Sequence, residues 1–218
     1  MGADKLKKIL AEHKKWLTGK DGKKANLRGA DLSSADLCGA DLHVANLRGA
    51  DLSSADLSSA DLRNADLSST DLSSTDLRYA DLSSADLRNA NLHVANLRGA
   101  NLHVADLRNA DLSSANLRYA DLRNADLRNA NLHVANLRGA NLRYADLRGA
   151  KFIEVRTDIW TIQIHAAAVR IGCQYHTHEE WMHFTDEEIA AMDSRALAWW
   201  KAWKPAIEIA IKNVKSND

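Results

Sequence analysis

Cys173, His176, His178 and Glu179 lie close together in the stretch GCQYHTHEEW. A thiolate, two imidazoles and a carboxylate are ligand types that zinc takes. The pattern C-x2-H-x-H-E has no second half at the spacing of a structural zinc site. Cys173 also closes an apolar run, where a free cysteine is expected to be buried. Cys173, His176 and His178 are therefore weak metal candidates, and neither metal nor cofactor is expected. A Cys173–His176 nucleophile pair would need an orienting partner and a loop to hold an oxyanion, and the sequence offers neither. No enzymatic activity is expected.

The elements that would position any chemistry are unusual. Leucine occupies every fifth position from Leu27 to Leu147, and Phe152 takes the next slot. Alanine stands two residues before each leucine, replaced only by Thr70 and Thr75. The residue immediately before each leucine is Asp sixteen times and Asn nine times. An α-helix would scatter such leucines about 140° apart, and a straight strand would send them to alternate faces. The pattern buries one stripe only if the chain bends once per repeat. Asp or Asn at the bend would then satisfy local backbone N–H groups.

The run ADLSS-ADLRN-ANLHV resembles the A-(D/N)-L-x-x signature of pentapeptide-repeat proteins, without a break over residues 25–150. The resemblance implies an all-β solenoid, a right-handed quadrilateral β-helix with four repeats per coil. About six coils, stacked at the inter-strand spacing of about 4.8 Å, would make a rod roughly 30 Å long. The expected core includes Leu27, Leu47, Leu67, Leu87, Leu107, Leu127, Leu147 and Phe152. Some members of the family inhibit or protect type II topoisomerases as rods that imitate duplex DNA. The matching candidate here is the stretch Asp51 to Asp86, in which every position before a leucine is Asp.

The last two positions of each repeat are expected to face solvent, and they use six words only: SS, RG, RN, HV, RY and CG. So small a vocabulary on positions free to drift points to a consensus-built, designed sequence. Stacking every twentieth residue aligns Arg28, Arg48, Ser68, Arg88, Arg108, Arg128 and Arg148 on one side. Another side aligns Cys38, Ser58, Arg78, Arg98, Arg118 and Arg138, with Tyr79 and Tyr119 beside it. Arginine interleaved with tyrosine is what a single-strand-binding groove uses. A solvated surface with its arginines offset by aspartates is the expectation, so no nucleic acid is expected as a partner. His43, His93, His103 and His133 fall too far apart in this register to share a metal.

The chain divides into residues 1–24, an N-terminal helical cap; 25–152, the β-helix; and 153–218, a C-terminal strand and helix cap. Residues 1–24 hold eight lysines against three acids, although the whole chain balances at 29 bases and 29 acids. No global field recruits nucleic acid or membrane. DKLKKILAEHKKWL reads as a helix N-capped by Asp4, with Leu6, Leu10 and Trp16 expected to pack on the first coil. WTIQIH and VRIGC, either side of Ala166 to Ala168, read as strands completing the last coils. Capping-box patterns follow at Thr177–Glu180 and Thr185–Glu188. Pro205 should kink or divide the final amphipathic helix. Trp160, Trp181, Trp199 and Trp203 are expected to pack the C-terminal cap, and this region resembles carboxy-terminal extensions of some pentapeptide-repeat proteins. An exposed Trp199–Trp203 face would favour a dimer and a covered one a monomer; no partner is required. The lysine-rich amino terminus has no apolar run, so neither a signal peptide nor a membrane span is expected, and the expectation is a soluble cytoplasmic protein.

Overall fold

The computed structural model describes residues 1–152, 154–157, 159–164 and 168–215. Within the repeats each turn of the chain takes twenty residues. Parallel bridges run from Asn26↔Asn46 through Asp31↔Asp51 and onward to Asn131↔Lys151, always twenty apart. Five residues thus form one side of a four-sided coil.

One repeat, Ala50 to Ser54, explains the stability of the side. Asp51 N–H donates back to Ala30 O (2.9 Å), while Leu52 and Ser54 N–H donate forward to Asp71 O and Ser73 O (2.8 and 2.9 Å). Ala50 N–H closes the preceding turn onto Leu47 O (3.0 Å). Ser53 N–H donates to the Asp51 carboxylate (2.9 Å). Every N–H of the repeat is bonded, which is what lets so much backbone lie beside an apolar core. The bend falls on the last two positions, and Asp51 carries the bridge. This corrects the expectation that Asp sits at the bend, although its side chain does satisfy the turn.

All twenty-five repeat leucines, with Phe152, are buried. The alanines share that interior, where little more than a methyl fits. Thr70 and Thr75 are buried in alanine slots, and their hydroxyls donate to Leu47 O and Leu52 O at 2.9 Å.

The second turn residue has positive φ in every repeat. A turn with φ > 0 at its third residue favours Gly or Asn, so RG and RN are the words this backbone prefers. That position is not free to drift, contrary to the expectation from sequence. Val44, Val94, Val104 and Val134 hold φ of 56 to 60° against the preference of a β-branched side chain.

Helix α1 (Ala3–Leu17) begins after Gly2, not at an Asp4 cap; Asp4 lies in its first turn, where it complements the helix dipole. Leu6 and His13 are its buried residues, and Leu10 packs partly on the core. Trp16 departs from expectation. It is 40% exposed and stacks on the His13 ring, because His13, seven residues beyond Leu6, takes the inward place.

After the coils, β1 (Asn136–Leu137) pairs parallel with β2 (Glu154–Thr157). Then β3 (Thr161–Ile164), β4 (Ala168–Ile171) and β5 (Gln174–Thr177) continue antiparallel in the order β1-β2-β3-β4-β5. WTIQIH and VRIGC therefore leave the coil as a meander rather than finish it; short connections reverse direction, whereas a coil side would need a parallel neighbour twenty residues back. Ile153, His165, Ala166 and Ala167 lie outside the described residues.

Three helices follow: α2 (His178–His183), α3 (Asp186–Met192) and α4 (Ala196–Lys215). Both expected capping boxes are present, at Thr177 and Thr185. Pro205 does not divide α4. It forfeits one hydrogen bond, but Trp203, Ala206, Ile207 and Ala210 beside it are buried, and their packing keeps the helix in one piece. Trp203 meets the Phe152 ring edge-on at 5.8 Å, tying α4 to the last repeat. Trp199 is edge-on to Trp160 at 5.1 Å, and its indole N–H donates to Thr157 Oγ1 (3.2 Å). Trp181 donates to Val169 O (2.9 Å). No helix among the described residues is long and apolar enough to cross a membrane.

Candidate functional surfaces

Cys173 is exposed beside the β4–β5 turn, which corrects the expectation of burial; the apolar run ends at Ile171, and the chain turns outward at Gly172. His176 on β5 packs edge-on against Trp181 and Phe184, with its Nε2 3.3 Å from Gln174 Oε1. His178 is buried at the start of α2. Among the described residues, no three Cys, His, Asp or Glu side chains come together in a way that could hold a metal. Beside them Trp160, Ile171, Trp181, Met192, Trp199 and Trp200 line a small apolar cleft of about 130 Å³, with Cys173 and Asp193 among its other walls.

The sides of the coil hold the extended surfaces. On the first side, Arg88 grips Asp86 through both forks (Nε–Oδ1 2.8 Å, Nη2–Oδ2 2.5 Å) and reaches Asp106 at 3.6 Å. Arg108 repeats this with Asp106 and Asp126, and Arg128 with Asp126 and Asp146. Arginines and carboxylates alternate as a ladder. The hydrogen-bonded guanidinium holds the Asp86, Asp126 and Asp146 carboxyls below the ordinary carboxylate range, with burial opposing the shift. Pairs this exposed add little stability, and their main effect is to cancel charge.

The pairing follows a local rule. Where the repeat reads D-L-R, the arginine is bound by its own aspartate: Arg63, Arg78, Arg88, Arg108, Arg123, Arg128 and Arg148. Where it reads N-L-R, as at Arg28, Arg48, Arg98, Arg118, Arg138 and Arg143, the neighbour is neutral; its side-chain carbonyl accepts from the arginine's backbone N–H, as the aspartates also do, but it offers the guanidinium no charge.

The stretch Asp51 to Asp86 does not form one acidic face. It winds around all four sides, and Asp61, Asp76 and Asp86 are spent on their own arginines. One side does lack arginine. It carries Asp31, Asp51, Asp71 and Asp111, with Ser or His-Val words beside them. There Asn91 and Asn131 donate to the Asp71 and Asp111 carboxylates at 3.1 and 3.0 Å.

Coil, bridge ladder and closed apolar core define a β-solenoid whose sides are its extended surfaces among the described residues. Residues 25–156 match a family model described as pentapeptide repeats, in eight copies, and the chain belongs to that family. Its members fold as right-handed quadrilateral β-helices, and they are generally structural or binding proteins rather than catalysts. Among solved structures the chain is similar to HetL, a pentapeptide repeat protein involved in heterocyst differentiation regulation from the cyanobacterium Nostoc sp. strain PCC 7120. Identity is 45% over 59% of this chain and 60% of that one, with a TM-score of 0.35. It is also similar to a trypsin-treated form of QnrB1, a plasmid-mediated fluoroquinolone resistance protein. Here identity is 29% over 54% of this chain and 59% of that one, with a TM-score of 0.52. Rfr23, a pentapeptide repeat protein from the cyanobacterium Cyanothece 51142, is 33% identical over 62% of this chain and 84% of that one, with a TM-score of 0.32. The chain thus spans less than two thirds of the first two. No curated protein sequence gives a significant match.

His13 is the residue that sequence reasoning missed. Its Nδ1 accepts from Ala25 N–H at 3.1 Å, and its Nε2 lies 3.1 Å from His43 O, which makes Nε2 the protonated nitrogen. The signal was its helical spacing from Leu6.

Proposed function

We propose that this chain is a non-catalytic structural scaffold: a consensus-built β-helical rod of about six coils, closed at each end by helical segments and able to hold its shape without a ligand. The observation that carries this reading is the closed bookkeeping of the interior repeat, as in Ala50 to Ser54, in which every N–H is bonded, together with the burial of every repeat leucine. Such a core leaves no interior space for a substrate. The first turn position supports a consensus origin, since it has no backbone preference to explain why only Arg, Ser, His and Cys occur there. Burial of Trp199, Trp200 and Trp203 covers the face that would have favoured a dimer, which supports a monomer.

A second reading has one observation in its favour. The arginine-free side with Asp31, Asp51, Asp71 and Asp111 gives a column of negative charge, interrupted by Asn91, of the kind a rod imitating duplex DNA would need. The likeness to QnrB1, a fluoroquinolone resistance protein, makes a type II topoisomerase the partner to test. The test is a supercoiling assay with the parent protein beside a variant carrying Asn at those four positions, both first shown folded by circular dichroism. The scaffold reading expects no inhibition by either. Inhibition by the parent and not by the variant would overturn it and place function on the acidic side.

A further inference from the structure

Three of the six arginines that follow Asn fall on one side of the coil, in successive turns: Arg98, Arg118 and Arg138. Their own bridge positions are Asn96, Asn116 and Asn136, and no carboxylate among the described residues pairs with them. Around the corner Arg143 also follows Asn and lies over the Tyr144 ring at 4.8 Å, while Asp121 is cancelled by Arg123. This part of the surface is therefore positive although the chain is neutral overall. The Arg118 Nε is buried and without an acceptor. Tyr119 feels the field: the hydrogen bond and charge of Arg118, with the charges of Arg138 and Arg98, draw its hydroxyl below the ordinary phenol range.

Two aromatic rings complete the side. Tyr79 lies over Gly99 and Tyr119 over Gly139. A Cβ at either glycine would come within 2.8 and 2.4 Å of the ring. Each ring is thereby fixed against the next coil, yet Tyr79 remains 58% and Tyr119 55% exposed. Fixed, half-open rings beside guanidinium groups are the parts of a stacking platform.

The geometry points to a binding site for single-stranded nucleic acid on this side of the rod, with Arg98, Arg118 and Arg138 taking phosphates and Tyr79 and Tyr119 taking bases. The inference goes beyond the scaffold reading and uses the opposite kind of surface from the acidic side.

The test is fluorescence anisotropy with a labelled oligothymidylate of about ten nucleotides, titrated in about 50 mM salt. Three phosphate contacts to a single strand should give a slope of log K against log salt near −2. The decisive variant is Asn96→Asp with Asn116→Asp and Asn136→Asp. It keeps every arginine and every turn but gives each of the three arginines its own carboxylate. The control is Arg88→Gln with Arg108→Gln and Arg128→Gln, which changes net charge equally on another side. The first should weaken binding at least about tenfold and the second less than about threefold. Tyr79→Leu with Tyr119→Leu should weaken the oligonucleotide about tenfold and leave inorganic polyphosphate unaffected. Absence of binding by the parent, or equal loss in the two charge variants, overturns the site. Indifference to the tyrosine change overturns nucleic acid as its ligand.

Discussion

Val94 holds φ at 60°, a left-handed conformation in which a β-branched side chain is crowded by its own backbone. Asn89 and Asn109 sit at the same turn position one and three repeats away on other words of the vocabulary, at φ 59°. Strain of this kind costs on the order of 1–3 kcal/mol per residue. Val94→Asn is therefore expected to stabilise the protein by about 1 kcal/mol, read as a higher urea midpoint at an unchanged slope; a lower midpoint would show that Val94 earns its place by packing. The same scale explains what was legible. Leucine spacing names the core directly, since period five admits no other buried stripe. The fate of each arginine is also legible, from the residue two before it. The turn strain was not, because which of the two outward residues is left-handed depends on where the bend falls. Sequence alone put the bend two residues too early, on the aspartate.

The element most dependent on a single side chain is α1. Its ring at His13 joins the helix to Ala25 N–H and to His43 O, so it bridges helix, first repeat and first coil. Burial draws the His13 pKa below its ordinary value; His43 and Lys24 act in the same direction, while the His43 carbonyl and Asp41 oppose. A folded pKa below the unfolded one means that the neutral ring supports docking. That contribution is complete above the unfolded value of about 6.5 and is lost as pH falls through the lower folded value. Protection of the α1 amides, taken as observed exchange relative to the intrinsic rate at each pH, should thus be high at pH 7.5 and fall as pH drops below about 6. His13→Ala should remove the pH dependence and destabilise by about 1–3 kcal/mol, from the buried N–H and carbonyl left without partners. Protection in α1 that stays constant from pH 7.5 to 5 would contradict this role. The helix itself was legible from its apolar spacing, but a histidine at an inward position looks like any other polar residue until its partners arrive from the coil. The terminal strands were misread for a related reason. Short apolar runs specify a strand, whereas its neighbour and direction are set by the connections, here the reversals that make β2 and β3, and β4 and β5, antiparallel.

At the scale of the molecule, charge is arranged by side and not by segment. One side carries alternating Asp and Arg, another Asp without Arg, and a third, in its later turns from Asn96 to Arg138, Arg without Asp. Totals and segment sums conceal this, because residues on one side are twenty apart in sequence. Once the twenty-residue register is known, the columns can be read off the sequence, and D-L-R or N-L-R tells which arginines are paired within their own repeat; the longer reach from Arg88, Arg108 and Arg128 to the carboxylate of the next coil shows only in the structure. The register has a consequence for the whole fold. If the coils are interchangeable turns around one core, removing a whole turn should shorten the rod and change little else. Deleting residues 86–105 joins Ala85 to Asp106 and keeps every later residue on its own side of the square. Small-angle X-ray scattering of this shortened chain beside the parent, with circular dichroism on both, is the most direct test of the account. It predicts a folded protein of unchanged cross-section whose length falls by about 5 Å. Unfolding, aggregation or a widened cross-section would contradict the claim that repeating coils alone carry the shape.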